Sequence, residues 1–180
     1  MELLFVYRFC GLGGVETSIL NKLDALNALG VDGHVVFGEF YGSGGAALAH
    51  DPRVTMGLER GRVLALLNAG FDAISVVDHP GFVDLLDEWN VTARVLFETH
   101  ASLLAALAGF HVNLNHPRVA AIVVPSHYNK RLVEASLQTP KQVVVIPNPL
   151  NERFHPHAPR ALEGIPLAPG GADSAVGGTP

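Results

Sequence analysis

Short apolar runs alternate along the chain with stretches whose apolar residues recur every three or four positions. Residues 3–7 (Leu-Leu-Phe-Val-Tyr) are continuously apolar, the pattern of a strand covered on both faces. A glycine-rich turn follows, Gly11-Leu12-Gly13-Gly14. Val15, Ile19, Leu23 and Leu26 then keep helical spacing up to Gly30, with Glu16 in the first turn, where the helix dipole favours an acid. Gly30 is the expected C-terminal stop.

The same alternation predicts strands at 34–37, 53–56, 71–77, 94–97, 119–124 and 143–146. It predicts helices at 59–68, 82–89, 102–109 and 128–137. Residues 38–51 read as a long polar, glycine-rich loop, and 113–117 as a shorter one. Strands alternating with helices imply an α/β fold, a doubly wound parallel sheet of Rossmann-like type. In such sheets ligands meet the C-terminal ends of the strands. The polar residues gather there: the glycine turn, Asp78-His79, Glu98-Thr99-His100, Ser126-His127 and Asn148.

Hydrophobic residues are 48% of the 180 and charged residues 16%, which excludes a disordered or fibrous chain. The net charge of −5, without a basic run, argues against nucleic acid as a partner. No apolar run approaches a transmembrane segment of roughly 20 residues, and the N-terminus lacks the regions of a signal peptide. Cys10 is the single cysteine, so no internal disulfide forms, which fits a reducing, cytoplasmic setting. A small buried side chain is its expected role. Nine histidines raise the question of metal, but His111 and His116, or His155 and His157, form no recognised ligand set, and no metal is expected. After about Phe154 the pattern changes: 155–159 reads as a linker, and 166–180 as small residues without periodicity, expected to be disordered. The chain therefore divides into a domain at 1–156 and a linker with tail at 157–180.

Three local matches, in order, resemble the N-terminal domain of GT-B glycosyltransferases of the retaining family 4 group. Gly13-Gly14-Val15-Glu16 opens the first helix, with Gly33-His34-Val35-Val36 at the second strand. Thr99-His100 follows a central strand. Val123-Val124-Pro125-Ser126-His127-Tyr128-Asn129-Lys130-Arg131 precedes Val145-Ile146-Pro147-Asn148-Pro149 and Arg153-Phe154-His155-Pro156. The resemblance implies two Rossmann-like domains facing a cleft, with a nucleotide-sugar donor held mostly by the second. The first supplies the surface for a sugar or lipid-linked acceptor. Transfer proceeds with retention and without a metal or bound cofactor. Peripheral attachment at the inner membrane face is compatible with such an acceptor.

On that resemblance His100 is the catalytic candidate, beside the transferred sugar. Gly13, Gly14 and His79 are candidates for substrate and donor-phosphate binding. Glycines permit positive φ and let backbone N–H groups approach an anion at a helix N-terminus, although a tight turn alone also uses them. Asp78 is an expected cap for the following helix. Glu16, Ser126, Lys130, Arg131 and Asn148 are secondary candidates. Ser126 has the simpler role of helix N-cap, Lys130 and Arg131 that of a solvated helix face, and Asn148 that of a strand end near an interdomain hinge.

The family's donor domain carries two glutamates separated by seven residues, and no such pair occurs here. The resemblance stops after about residue 166, as expected of a truncated or frame-shifted product or of a separate half. The domain alone is expected to be inactive or weak. Two alternatives stand beside it. One is a Rossmann-type NAD(P)-binding oxidoreductase: Gly11-Leu12-Gly13 begins the dinucleotide pattern, Glu16 takes the third glycine's place, and Glu39 is its ribose-binding acid. The other is a noncatalytic subunit whose cleft is completed by a separate C-terminal GT-B domain chain.

Overall fold

The computed structural model describes residues 1–11, 13–40, 46, 48–100 and 114–149, without the side chains of 39, 40 and 80. Eleven elements follow in order: β1 (Glu2–Cys10), α1 (Gly14–Ala28), β2 (Asp32–Phe40), β3 (Val54–Met56), α2 (Arg60–Leu67), β4 (Ala73–Val77), α3 (Pro80–Glu88), β5 (Arg94–Glu98), β6 (Val119–Val124), α4 (His127–Ser136) and β7 (Gln142–Val145). The strands form one seven-stranded sheet in the order β3-β2-β1-β4-β5-β6-β7. Every pairing is parallel. The chain is therefore the doubly wound, Rossmann-like α/β domain that the alternation implies.

Two separate clusters of buried side chains show that both faces are covered, as a parallel sheet requires. On one face Phe5, Tyr7, Val35, Phe37 and Val77 pack with Ile19 and Leu23 of α1. On the other, Leu4, Val6, Ile74, Val76, Phe97 and Ile122 pack with Val63 of α2, Phe82 and Leu86 of α3, and Val133 of α4. Adjacent β1 residues belong to opposite clusters, the period-two alternation of a strand. The apolar run at 3–7 is continuous because both of its faces are core.

Several boundaries move. β1 and β2 extend beyond the expected limits to Cys10 and Phe40, because the two pair from Glu2↔Asp32 to Tyr7↔Phe37 and again at Phe9↔Glu39 and Cys10↔Phe40. The expected loop at 38–51 thus begins as strand, residues 46 and 48 are helical, and Glu39 lies within β2. α1 ends with Leu29 as C-cap, and Gly30 turns out at φ +73° while its N–H meets the Asn27 carbonyl, the expected glycine stop. The helix expected at 102–109 and the tail beyond 150 lie outside the described residues. So does the boundary set at 156; Met1–Leu150 cluster as one compact unit.

Glycine is required by contact at Gly38. A Cβ there would lie 2.6 Å from Leu58 Cδ1 and 2.9 Å from the Arg8 carbonyl oxygen, and the latter belongs to the sheet. At Gly14 a Cβ would meet nothing within 4 Å. Gly38→Ala is expected to cost about 1–3 kcal/mol through overpacking. Gly14→Ala, at a helical position, is expected to be neutral or to gain up to about 1 kcal/mol. Urea unfolding of the two variants checks the contrast.

Candidate functional site

β1, β4 and β5 lie side by side, and their C-terminal ends carry the glycine turn, Asp78-His79 and Glu98-Thr99-His100. The sheet order thus brings together residues far apart in sequence. At the glycine turn, Gly13 is the N-cap of α1 with φ −82°, so the described glycines of this turn are not in the left-handed region. The expectation of positive φ is corrected here. Glycine serves proximity instead: the Gly11 N–H donates to Glu16 Oε1 at 2.7 Å, and a Cβ on Gly13 would stand 2.9 Å from Glu16 Oε2. Glu16 is buried, and its carboxylate fills the concave side of the turn. Thr17 Oγ1 donates to the Gly13 carbonyl at 2.9 Å and closes the first turn of the helix.

Asp78 does not cap α3. That position belongs to His79, which makes no side-chain cap bond. Asp78 takes φ +45°, a left-handed conformation that Asp tolerates better than most residues. Its Oδ1 accepts the His100 backbone N–H at 3.0 Å, while its own N–H donates to the Glu98 carbonyl at 2.9 Å. The ends of β4 and β5 are thereby stitched together. The His79 ring packs against Phe82, centroids 5.8 Å apart.

The centre of the site is Glu98. Its Oε1 receives Lys22 Nζ from α1 and faces His100 Nε2 at 2.5 Å; its Oε2 lies 3.4 Å from Ser75 Oγ on β4. The side chains of Lys22, Glu98 and His100 are 11%, 4% and 5% exposed. Burial pushes the Glu98 carboxyl up. The His100 hydrogen bond, then the charge and hydrogen bond of Lys22, outweigh that and hold it below its ordinary range. His100 Nδ1 is buried and lacks a hydrogen-bond partner among the described residues.

The field at the end of β1 is negative. Burial, then Glu16 and Asp78, push the Tyr7 hydroxyl up to about 12. Burial, then Glu16, push the Cys10 thiol up as well, and Cys10 is fully buried, the small core residue expected.

The secondary candidates mostly hold the fold. Ser126 is the N-cap of α4, its Oγ accepting the Asn129 N–H at 3.1 Å. Lys130 Nζ donates to the Val143 carbonyl at 2.9 Å, which locks α4 onto β7 rather than leaving a solvated lysine. Arg131 is exposed on α4. Asn148 Oδ1 accepts from Ser18 Oγ at 3.2 Å, and Asn21 Nδ2 donates to the Pro149 carbonyl at 3.0 Å, so the segment after β7 is tied to α1. Of the histidines weighed for metal, His116 lies 3.1 Å from Asp87 Oδ2, while His111, His155 and His157 lie outside the described residues.

Lys22 and Glu98 have roles that sequence reasoning missed. Glu98 was placed in the crevice only as one polar residue among three. A carboxylate ending the apolar run Val95-Leu96-Phe97 signals a need for a buried partner. Lys22 stands three residues after Ile19 and four before Leu26, on the inward stripe of α1. The pair also borders an apolar cleft of about 270 Å³, lined by Leu26, Leu29, Leu96, Val123 and Ile146.

No family model matches the chain, and no curated protein does. Among solved structures, a sucrose-phosphate synthase from Thermosynechococcus elongatus is similar, at 13% identity and TM-score 0.53, over 84% of this chain and 91% of that one. At that identity the likeness is one of fold. No helix among the described residues is long and apolar enough to cross a membrane.

Because the folded state depresses Glu98, the stability it contributes is present above the ordinary carboxylate range and is lost as pH falls through the depressed value. Glu98→Gln is expected to lower stability near neutral pH by about 3 kcal/mol, since Lys22 loses its counter-charge. It is also expected to flatten the loss of stability between about pH 5 and pH 3. Urea midpoints across that range check both effects.

Proposed function

We propose that the chain is the acceptor-side, N-terminal domain of a retaining GT-B glycosyltransferase that takes a nucleotide sugar as donor. One observation supports this: the Gly13-Gly14 turn, His79 and the Glu98–His100 segment follow the C-terminal ends of the adjacent strands β1, β4 and β5, in a sheet whose fold resembles a sucrose-phosphate synthase. The motif order along the chain adds the resemblance to family 4. In this reading Gly14 presents open backbone to the ligand, since nothing would meet its Cβ. His79 flanks the same opening, and His100 stands beside the transferred sugar.

The electrostatics support a division of labour. Glycosyl transfer leaves a diphosphate whose charge must be stabilised. Here the crevice carries Glu16, Asp78 and Glu98, and Lys22 is engaged with Glu98. The cations for the diphosphate therefore come from a second domain, on the same chain or on a partner. Alone, this domain binds donor weakly and transfers slowly. An acceptor with sugar hydroxyls suits a crevice rich in carboxylates, which accept hydrogen bonds.

The dinucleotide alternative has less support. A pyrophosphate on the glycine turn needs its N–H groups, and Glu16 already accepts one of them from Gly11. The partner-subunit alternative differs only in where the second domain resides, and co-purification with a second GT-B-like chain would support it.

Thermal shift with UDP-glucose, GDP-mannose and NADH separates the first two readings. A sugar nucleotide at a concentration equal to its Kd stabilises by about 0.4 kcal/mol, roughly 1 °C for a domain of this size. Gly14→Ala is expected to keep the fold and abolish that response. Strong stabilisation by NADH with none by either sugar nucleotide would overturn the proposal.

A further inference from the structure

An ionised carboxylate only accepts hydrogen bonds, and an ammonium only donates them. Glu98 Oε1 lies between two such neighbours, Lys22 Nζ and His100 Nε2. Lys22 holds the carboxylate in its charged form, as does the histidine contact itself. The bond at 2.5 Å therefore requires a proton on Nε2, whichever charge the ring carries. Nδ1 is then the ring nitrogen on which the contact places no proton. Among the described residues, that atom is also buried and without a hydrogen-bond partner. Buried N–H groups are rarely orphaned, whereas an orphaned lone pair is more common, so Nδ1 rests as an acceptor. Asp78, a second carboxylate beside the histidine, accepts its backbone N–H.

We propose that the buried Lys22–Glu98 pair is a positioning device for His100: it pins the proton on Nε2 and reserves the Nδ1 lone pair for an incoming hydroxyl. Lys22 and Glu98 are positioning residues, because they act through the ring and not on a ligand. The inference deepens the glycosyltransferase reading and rests on it only for the nature of the incoming hydroxyl; the tautomer is a property of the free chain.

The device makes a directional demand on a substitution. Glu98→Gln keeps an oxygen where Lys22 Nζ and His100 Nε2 both donate, with its NH2 toward Ser75 Oγ, so Nε2 keeps its proton. Glu98→Leu removes that acceptor, and nothing then holds the proton on Nε2. Nitrogen-15 NMR of the ring in the full chain, without ligand, reads this directly. In the wild type and in Glu98→Gln the unprotonated nitrogen is expected to be Nδ1, whereas in Glu98→Leu the proton is expected to be shared between the two ring nitrogens. Lys22→Arg keeps the counter-charge and is expected to keep the wild-type tautomer. A wild-type ring with its proton on Nδ1 overturns the proposal whether or not the variants fold. So does a folded Glu98→Leu chain whose ring proton is still held on Nε2 alone. A failed thermal shift with sugar nucleotides, beside the expected tautomers, would remove the sugar reading and leave the positioning device standing.

Discussion

A carboxylate taken out of water must be matched atom by atom, and Glu98 meets that constraint by drawing together most of the crevice. Its side chain engages α1 through Lys22, β4 through Ser75 and the segment after β5 through His100. Its carbonyl takes the N–H of Asp78, whose carboxylate returns to the His100 backbone. Three elements are fixed by one residue. The attraction between Glu98 and Lys22 offsets a desolvation cost of several kcal/mol per ion, so the pair adds little net stability. What it adds is placement: the strand ends and the first helix have one arrangement in which every charged atom is satisfied.

The crevice is correspondingly spent. Glu16 occupies the turn that a helix N-terminus would otherwise offer to an anion, and Asn148, Ser126 and Lys130 are engaged in holding segments of the chain together. A site of this kind is preorganised for hydroxyl groups and unsuited to phosphates on its own. Under the proposed glycosyltransferase reading, that asymmetry is what an acceptor-side half would require.

The sheet was legible in the sequence because a parallel strand buried on both faces leaves an unbroken apolar run, as at Phe5-Val6-Tyr7 and Ile122-Val123-Val124. Boundaries were less so. β2 runs on through Gly38 because pairing with β1 overrides the weak strand tendency of glycine. The positions of His100 and the glycine turn followed from strand ends, which local pattern marks well. The partners did not. Asp78 looked like a helix cap, since a cap is a local device, whereas its bond to His100 depends on β4 and β5 lying side by side. Lys22 drew no attention for a related reason: its place on the inward stripe of α1 marks it, but its counter-charge lies in another strand.

The order of the strands also governs how the molecule is made. β1 lies inside the sheet, yet its second neighbour, β4, is reached only when Leu3 meets Ala73. During synthesis β1 keeps one edge open while β2, β3 and α2 follow it. Parallel pairings of this separation form slowly, and an unpaired apolar edge invites association with other chains. The same central strand that anchors the finished fold is thus its longest exposure in the making.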